Sequence, residues 1–490
     1  MHVRRHRFAH LRLLLASIAA SLLLGAPARF AAAAPPPAAV APQPDGECRA
    51  PGAGATLTLS EARALALRCN LDLLAARRAV QAAEADIRIA GQRPNPVLSL
   101  GVENINPHAG VGAGSWRNKT VDSTVRIDQV IETANKAGLR VKTAQAASVA
   151  AGRQVQAATV QQMAALEQAF FDAAVSQQRV DVLAQTLALY ERTEQANKTR
   201  YKAGDLARAD VTRLELDALR ARADWREARA DHQRDLAELA QRIGIPGTLQ
   251  DVALSPRWPG LAEPVPSLDE QALQARPDVA VAQARLQAAA AARELARAAR
   301  VPDVTVGAQA ERYPASATNQ QGSGNSFGVF VSIPLYLRHS YGGEAQRAEV
   351  DYYAALDERN RVLLAAGNEV GRLRTALDAA RESLRQIDEA VLPAAERVAA
   401  DAEFAFGKGA IGVLELLDAR RALRQTRLDA AQARGAYAKA LSAYLAATRT
   451  ADEAAAAAPA GAADLPLQDV APLPFRPLAG HVPAFPIPSP

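Results

Sequence analysis

Aromatic residues make up only 4% of this 490-residue chain, and there are two cysteines, two methionines and three tryptophans. So few rings would leave a large globular core hard to fill. Two cysteines exclude a disulfide-built scaffold and multi-cysteine zinc or iron–sulfur centres. Long apolar runs are absent beyond the N-terminus and the mean hydropathy is −0.11, so a bundle of membrane-spanning helices is excluded. Seven histidines are scattered at positions 2, 6, 10, 108, 232, 339 and 481, without H-x-x-x-H or C-x-x-C spacing. No phosphate-cradling glycine loop and no G-x-S-x-G motif occur. The sequence therefore offers no catalytic set, no metal-ligand set and no cofactor site. The +5 charge is interspersed with acids and does not form a nucleic-acid-binding patch.

What is present is Ala, Leu, Arg, Glu and Gln, the composition of long helices packed side by side. Arg4, Arg5, Arg7 and Arg12 precede the apolar run Leu13–Leu24 and a small-residue stretch, which is the layout of a secretory signal over 1–34. Residues 35–55 read as a flexible Pro/Ala leader and 451–490 as a disordered Ala/Pro-rich tail. Export would put Cys48 and Cys69 in an oxidising compartment. There they could pair, or Cys69 could stay a buried thiol.

Between these ends the chain is written twice. Pro96-Val97-Leu98-Ser99-Leu100-Gly101 lies over Pro302-Asp303-Val304-Thr305-Val306-Gly307 at an offset of 206, and Asp72 over Asp278. At 205, Tyr201-Lys202-Ala203-Gly204 meets Phe406-Gly407-Lys408-Gly409, and Asp210 meets Glu415. The repeats are taken as 56–250 and 251–450. Each opens with a helix (60–93; 267–300), capped around Ser60-Glu61 and Ser267 to Glu270, and ended by Pro94 or Pro302. A β-hairpin follows, with Leu98, Leu100, Val102, Val125 and Ile127 alternating in the first half, and Val304, Val306, Phe327, Val329, Val331 and Ile333 in the second. Then comes a helix of more than sixty residues with a heptad-like stripe (Val180, Leu183, Leu187, Tyr190; Val370, Leu373, Leu377, Leu384, Ile387, Val391). A tight turn at Gly204 or Gly409 leads into a returning helix (208–243; 411–448).

Four amphipathic strands cannot close a membrane barrel alone, since about eight are needed; three chains would supply twelve. Trp116, Phe327, Phe330, Tyr336 and Tyr341 stand near strand ends, where interface aromatics would help.

Several stretches carry a family resemblance: Arg93-Pro94-Asn95-Pro96-Val97-Leu98-Ser99, Val102-Glu103-Asn104, Gln129-Val130-Ile131-Glu132-Thr133 with Lys136, Tyr201-x-x-Gly204-Asp205 with Asp210-Val211, and Gly409 with Leu416-Leu417-Asp418-Ala419-Arg420. Over about 55–450 the chain resembles outer-membrane efflux proteins of the TolC family, and within it the outer-membrane component of cobalt–zinc–cadmium tripartite systems. Thr133-Ala134-Asn135-Lys136 stands where that branch has glycines before its basic residue. The resemblance implies a mainly α fold with a small β part. It implies a homotrimer whose twelve-stranded outer-membrane barrel continues into a periplasmic α-helical barrel. Implied partners are a periplasmic adaptor, a proton-driven inner-membrane pump and outer-membrane lipid. The expected role is a passive exit duct, probed against a multidrug or type I secretion duct and, in another class, a periplasmic adaptor. Tyr201, Gly204, Asp205, Phe406 and Gly409 are expected at the tunnel mouth, where they would dock the adaptor or simply shape the helix hairpin. Asp205 is a candidate cap for the returning helix. Asp210, Glu215, Glu415 and Asp418 are candidate pore acids, or partners of Arg213 and Arg420.

Overall fold

The computed structural model describes residues 48–456 except for Ala53, 104–120, 205–206, 248, 250–251, 263–264, 267–269 and 314–323. The signal, most of the leader, His108 and Trp116 lie outside the described residues.

The order of elements is β1 (Thr56–Leu57), α1 (Leu59–Cys69), α2 (Leu71–Gly91), β2 (Val97–Glu103), β3 (Asp122–Ile131), α3 (Lys136–Lys202) and α4 (Arg208–Ile243) in the first half. The second half holds β4 (Ala253–Leu254), α5 (Glu270–Gln274), α6 (Pro277–Ala298), β5 (Val304–Tyr313), β6 (Gly324–Ser332), α7 (Gly342–Gln386), α8 (Leu392–Gly407), α9 (Val413–Thr448) and α10 (Ala451–Ala456). The doubled plan of helix, hairpin, long helix and returning helix is therefore the plan of the molecule.

Three expectations about helix ends need correction. The opening helices are each broken, at Asn70 and at Ala275–Arg276, because Asn70 caps α2 and Pro277 starts α6. The cap of α1 is Thr58 rather than Ser60, in a reciprocal box with Glu61. The helices end at Gly91 and Ala298, ahead of Pro94 and Pro302. Residues 451–456 also depart from the expected disorder. They form α10, since Thr450 and Glu453 exchange capping bonds and the Ala451 N–H donates to Ala275 C=O at 2.8 Å.

α3 runs 67 residues without interruption, about 100 Å at ~1.5 Å per residue. Its counterpart is split by a π-helical turn, Ile387–Val391, directly before Pro393. Proline has no N–H and clashes with the carbonyl four residues back, so the ladder widens and Leu392 N–H donates to Ile387 C=O. The wider turn rotates the stripe. Val370, Leu377 and Leu384 are buried, but Val391 is 41% exposed.

Two main apolar clusters hold the helices. One joins β1, α1, the start of α2, the middle of α3 and the end of α4 through Leu57, Ala66, Leu73, Leu166, Phe170, Leu239 and Ile243. The other seats Tyr437, Leu441 and Tyr444 of α9 on Leu377 and Leu384 of α7. β1 pairs in parallel with β4, tying the start of the first half to the start of the second. Cys48 and Cys69 form a disulfide, which settles that alternative; closing a 21-residue separation stabilises by about 3 kcal/mol.

Strands β2-β3-β5-β6 form one antiparallel sheet in that order. Its register places Leu98, Ile127, Ala308 and Val329 in one row, and Leu100, Val125, Ala310 and Phe327 in the next, all on one face. The opposite face carries Ser99, Arg126, Gln309 and Gly328, then Asp128, Gly307 and Phe330. The apolar face is uncovered in the single chain: Leu100 is 73% and Phe327 81% exposed. Phe330 does not share a face with Phe327. Strand parity puts it on the polar face, 4.5 Å above the Arg126 guanidinium.

Candidate functional site

At the end of the helices away from the sheet, each long helix reverses through a left-handed glycine. Gly204 has φ +85° and Gly409 φ +74°. In the second half the Gly409 N–H donates to Phe406 C=O at 2.9 Å and Ala410 N–H to Ala405 C=O at 2.9 Å. These are the paired bonds of a Schellman stop. The first half repeats the inner bond, Gly204 N–H to Tyr201 C=O at 3.0 Å. A Cβ at either glycine would meet open space, so only the backbone angle selects glycine. Tyr201 is exposed and Phe406 half-buried, while Phe404, not singled out from sequence, is the more exposed ring. Asp205 is outside the described residues. The cap position of α4 is Ala207, which offers no side-chain bond.

The candidate acids are tied differently from the sequence expectation. Glu215 pairs with Lys198 at 3.1 Å, and Asp418 with Arg421 at 3.2 Å. Arg420 reaches Glu403 at 3.1 Å instead. Glu415 stands exposed in the first turn of α9, and Asp210 lies in the first turn of α4. The residue that sequence reasoning missed is Asp217. It is buried, accepts from Arg421 at 2.6 Å, and joins the returning helices of the two halves. Burial works against the Arg421 charge, but the Asp217 carboxylate and a bond with Tyr190 outweigh it and raise its pKa above the ordinary value. Arg424 to Asp224 at 3.4 Å repeats the link further along. A charged residue on each returning helix at helical spacing was the only available signal.

Where sheet meets helix, the resemblance motif acquires a job. Thr133 N–H and Lys136 Nζ both donate to Asp303 Oδ1 at 2.8 Å, and Lys136 Nζ also to Val301 C=O at 2.6 Å. Arg140 clasps Glu132 and donates to Gln92 C=O at 3.1 Å. These bonds lock the exit of β3 onto the entry of β5. Ala134 and Asn135 sit there at φ +51° and +53°, and Tyr341 at φ +56° starts α7 in the same way. Glycine adopts that conformation without a Cβ penalty, whereas Ala134, Asn135 and Tyr341 adopt it at a cost.

No group of three or more His, Cys, Asp or Glu arranged for a metal ion occurs among the described residues. A family model described as outer membrane efflux protein matches the chain twice, over 62–245 and 268–448. The chain belongs to the outer membrane efflux protein family. This efflux protein is 27% identical to the cobalt-zinc-cadmium resistance protein CzcC of Cupriavidus metallidurans over 381 residues, 77% of this chain and 86% of the relative. It is 31% identical to the protein CyaE of Bordetella pertussis over 343 residues, 67% and 70% of the two chains. Its fold matches the outer-membrane channel OprN with a TM-score of 0.63 at 20% identity, covering 87% of this chain and 98% of that one. It is an outer-membrane efflux protein and not an enzyme.

Proposed function

We propose that three copies close into a twelve-stranded barrel and form the passive exit duct of a tripartite system exporting divalent heavy-metal cations. The observation that carries the assembly is the sheet. It exposes a continuous apolar face, and its outer strands β2 and β6 end the order with seven and nine residues of backbone edge. Such edges are left open only where another strand covers them, and an apolar outer face belongs in lipid. Joining β6 of one copy to β2 of the next satisfies every edge. Strands of seven to ten residues are close to the ~9–11 needed to cross a bilayer.

The resemblance to a cobalt-zinc-cadmium resistance protein supports metal as the cargo. A duct has no need to bind its cargo, and energy would come from an inner-membrane pump through a periplasmic adaptor. The turn residues Tyr201, Gly204, Asp205, Phe406 and Gly409 would form the docking mouth. Asp210, Glu215, Glu415 and Asp418 would bias that mouth toward cations, so Asp418→Asn should weaken cation preference in planar bilayers.

The deciding experiment challenges a deletion strain with zinc, cadmium, cobalt, nickel and copper. Hypersensitivity to at least one, rescued by the intact gene, is the expected result. Unchanged metal tolerance with lost export of organic toxins or of a protein would point to the multidrug or type I secretion reading. Recovery only as a soluble periplasmic monomer would remove the duct itself.

A further inference from the structure

The polar face of the sheet carries a small construction that efflux as such does not require. In the described strands its ionisable acids and bases are Glu103, Asp122, Asp128 and Glu311 against one guanidinium, Arg126. Arg126 does not stand free. Its Nε and Nη2 reach the Asp128 carboxylate at 2.8 and 2.9 Å in a forked pair. The Phe330 ring covers it at 4.5 Å. The pair lies close to the wall, with Arg126 33% and Asp128 21% exposed.

Two glycines make this arrangement fit. Gly307 sits in register between Asp128 and Phe330, and a Cβ there would run into the Asp128 carboxylate. Gly328 lies in the row of Arg126 and Gln309, and a Cβ there would lie 3.0 Å from the Phe330 ring. The ring leans back over Gly328, and the carboxylate folds down over Gly307. Glycine within a strand loses packing and backbone order, so two of them facing one ion pair mark a close approach. Together they floor a shallow trough that holds one cation flat.

We propose that Arg126, Asp128 and Phe330 form a charge-masking element on the barrel wall, which keeps the one guanidinium on that face of the described strands out of the permeation path and makes the lumen favour cations. The inference rests on the trimeric-pore reading above, because only closure turns the polar face inward. Three copies place three masked guanidiniums at one level of the barrel. Released, their side chains would project toward the axis, where charges at the narrow wall act on every passing ion. Asp128 neutralises the charge, and Phe330 adds a cation–π contact while fixing the plane of the fork. A lysine could not replace Arg126, since an ammonium makes neither the forked pair nor the flat stack.

The test is the reversal potential of the reconstituted trimer under a tenfold KCl gradient, at low total salt where screening is weakest. The wild-type channel should prefer potassium over chloride. Phe330→Leu changes no charge, yet it should lower that preference roughly twofold or more, as unmasking of ring charges implies. Arg126→Lys should lower it in the same direction, and Asp128→Asn should lower it further. Arg126→Gln should raise it. Assembly is checked for each variant by heat-modifiable trimer migration, and Arg126→Lys is the mildest change should Asp128→Asn fail to assemble. A conducting wild type with Phe330→Leu and Arg126→Lys both at the wild-type potential would overturn the masking role while leaving the pore intact. A folded wild-type protein that conducts nothing would instead overturn the pore reading, and the masking role with it.

Discussion

The two halves share one plan at an offset of 205–206 residues, yet they reach it with different chemistry at corresponding points. In the first half Asn70 caps α2 and donates through Nδ2 to Arg242 C=O at 2.8 Å, gripping the end of α4. In the second half Arg276 occupies the matching place and donates through Nη1 to Ala447 C=O at 2.8 Å, gripping the end of α9. The geometry of the clamp is retained and the residue is not. Arg276 is almost wholly buried and brings its own counter-charges, Asp278 and Glu369, each at 2.8 Å. Burial opposes its charge, but the two carboxylates prevail and hold its pKa above the ordinary value. The long helices differ likewise: α3 is continuous, whereas Pro393 forces a π turn between α7 and α8. A duplicated scaffold thus fixes where segments must meet and leaves open which side chains make them meet.

Breaking the clamps should separate the halves most. Arg276→Ala leaves a buried carbonyl without its donor and two half-exposed carboxylates without their partner, and should destabilise by about 2–3 kcal/mol. Asn70→Ala removes a cap and one buried bond, about 1–2 kcal/mol. Urea unfolding of the detergent-solubilised protein measures both, and equal losses would refute the contrast. Next come the turn glycines, where the halves should agree. Gly204→Ala and Gly409→Ala each force a left-handed residue into open space, costing roughly 1 kcal/mol. Tryptophan at either position should abolish efflux while trimers still form, as read from metal tolerance alongside trimer migration; normal resistance would reject docking at these turns.

The elbows should diverge again, by less. Ala134→Gly relieves a left-handed alanine and should stabilise by about 0.5–1 kcal/mol. Tyr341→Gly relieves the same strain but loses ring contacts with Tyr336 at 5.0 Å and His339 at 4.4 Å, so no gain is expected. Thermal unfolding distinguishes the two. The smallest effect concerns His232 of the first half, whose ring nitrogen lies 3.0 Å from Ser176 Oγ. Burial lowers its pKa below the ordinary histidine value, against the pull of Asp235 and Asp181. The unfolded chain therefore binds the proton more readily, and stability is lost as pH falls below about 6.5 toward the lower folded value. His232→Gln should flatten that slope between pH 7 and 5 in melting-temperature measurements, and an unchanged slope would exclude this histidine as its source.

Much of this was legible in the order of residues. Alternation at Leu98, Leu100, Val125 and Ile127 marks strands, glycines 204 and 409 mark reversals, and the offset marks the doubling. Few aromatics and much alanine, which first suggest a shortage of core, suit helices packed closely in thin layers. The break at Asn70 was less legible, because an asparagine inside a helical pattern can continue the helix or cap a new one, and the neighbouring residues suit both.

These features are settled by sequence alone because they are local: a two-residue period, a 3.6-residue period and a positive φ are properties of neighbouring residues. Partner choice is not local. That Glu215 takes Lys198, that Asp217 takes Arg421, and that Phe330 lies over Arg126 depend on segments up to 204 residues apart arriving side by side. Distance along the chain carries no trace of which of several equivalent charges will be nearest. Packing of the helices and register of the strands decide that, and only the folded chain contains them.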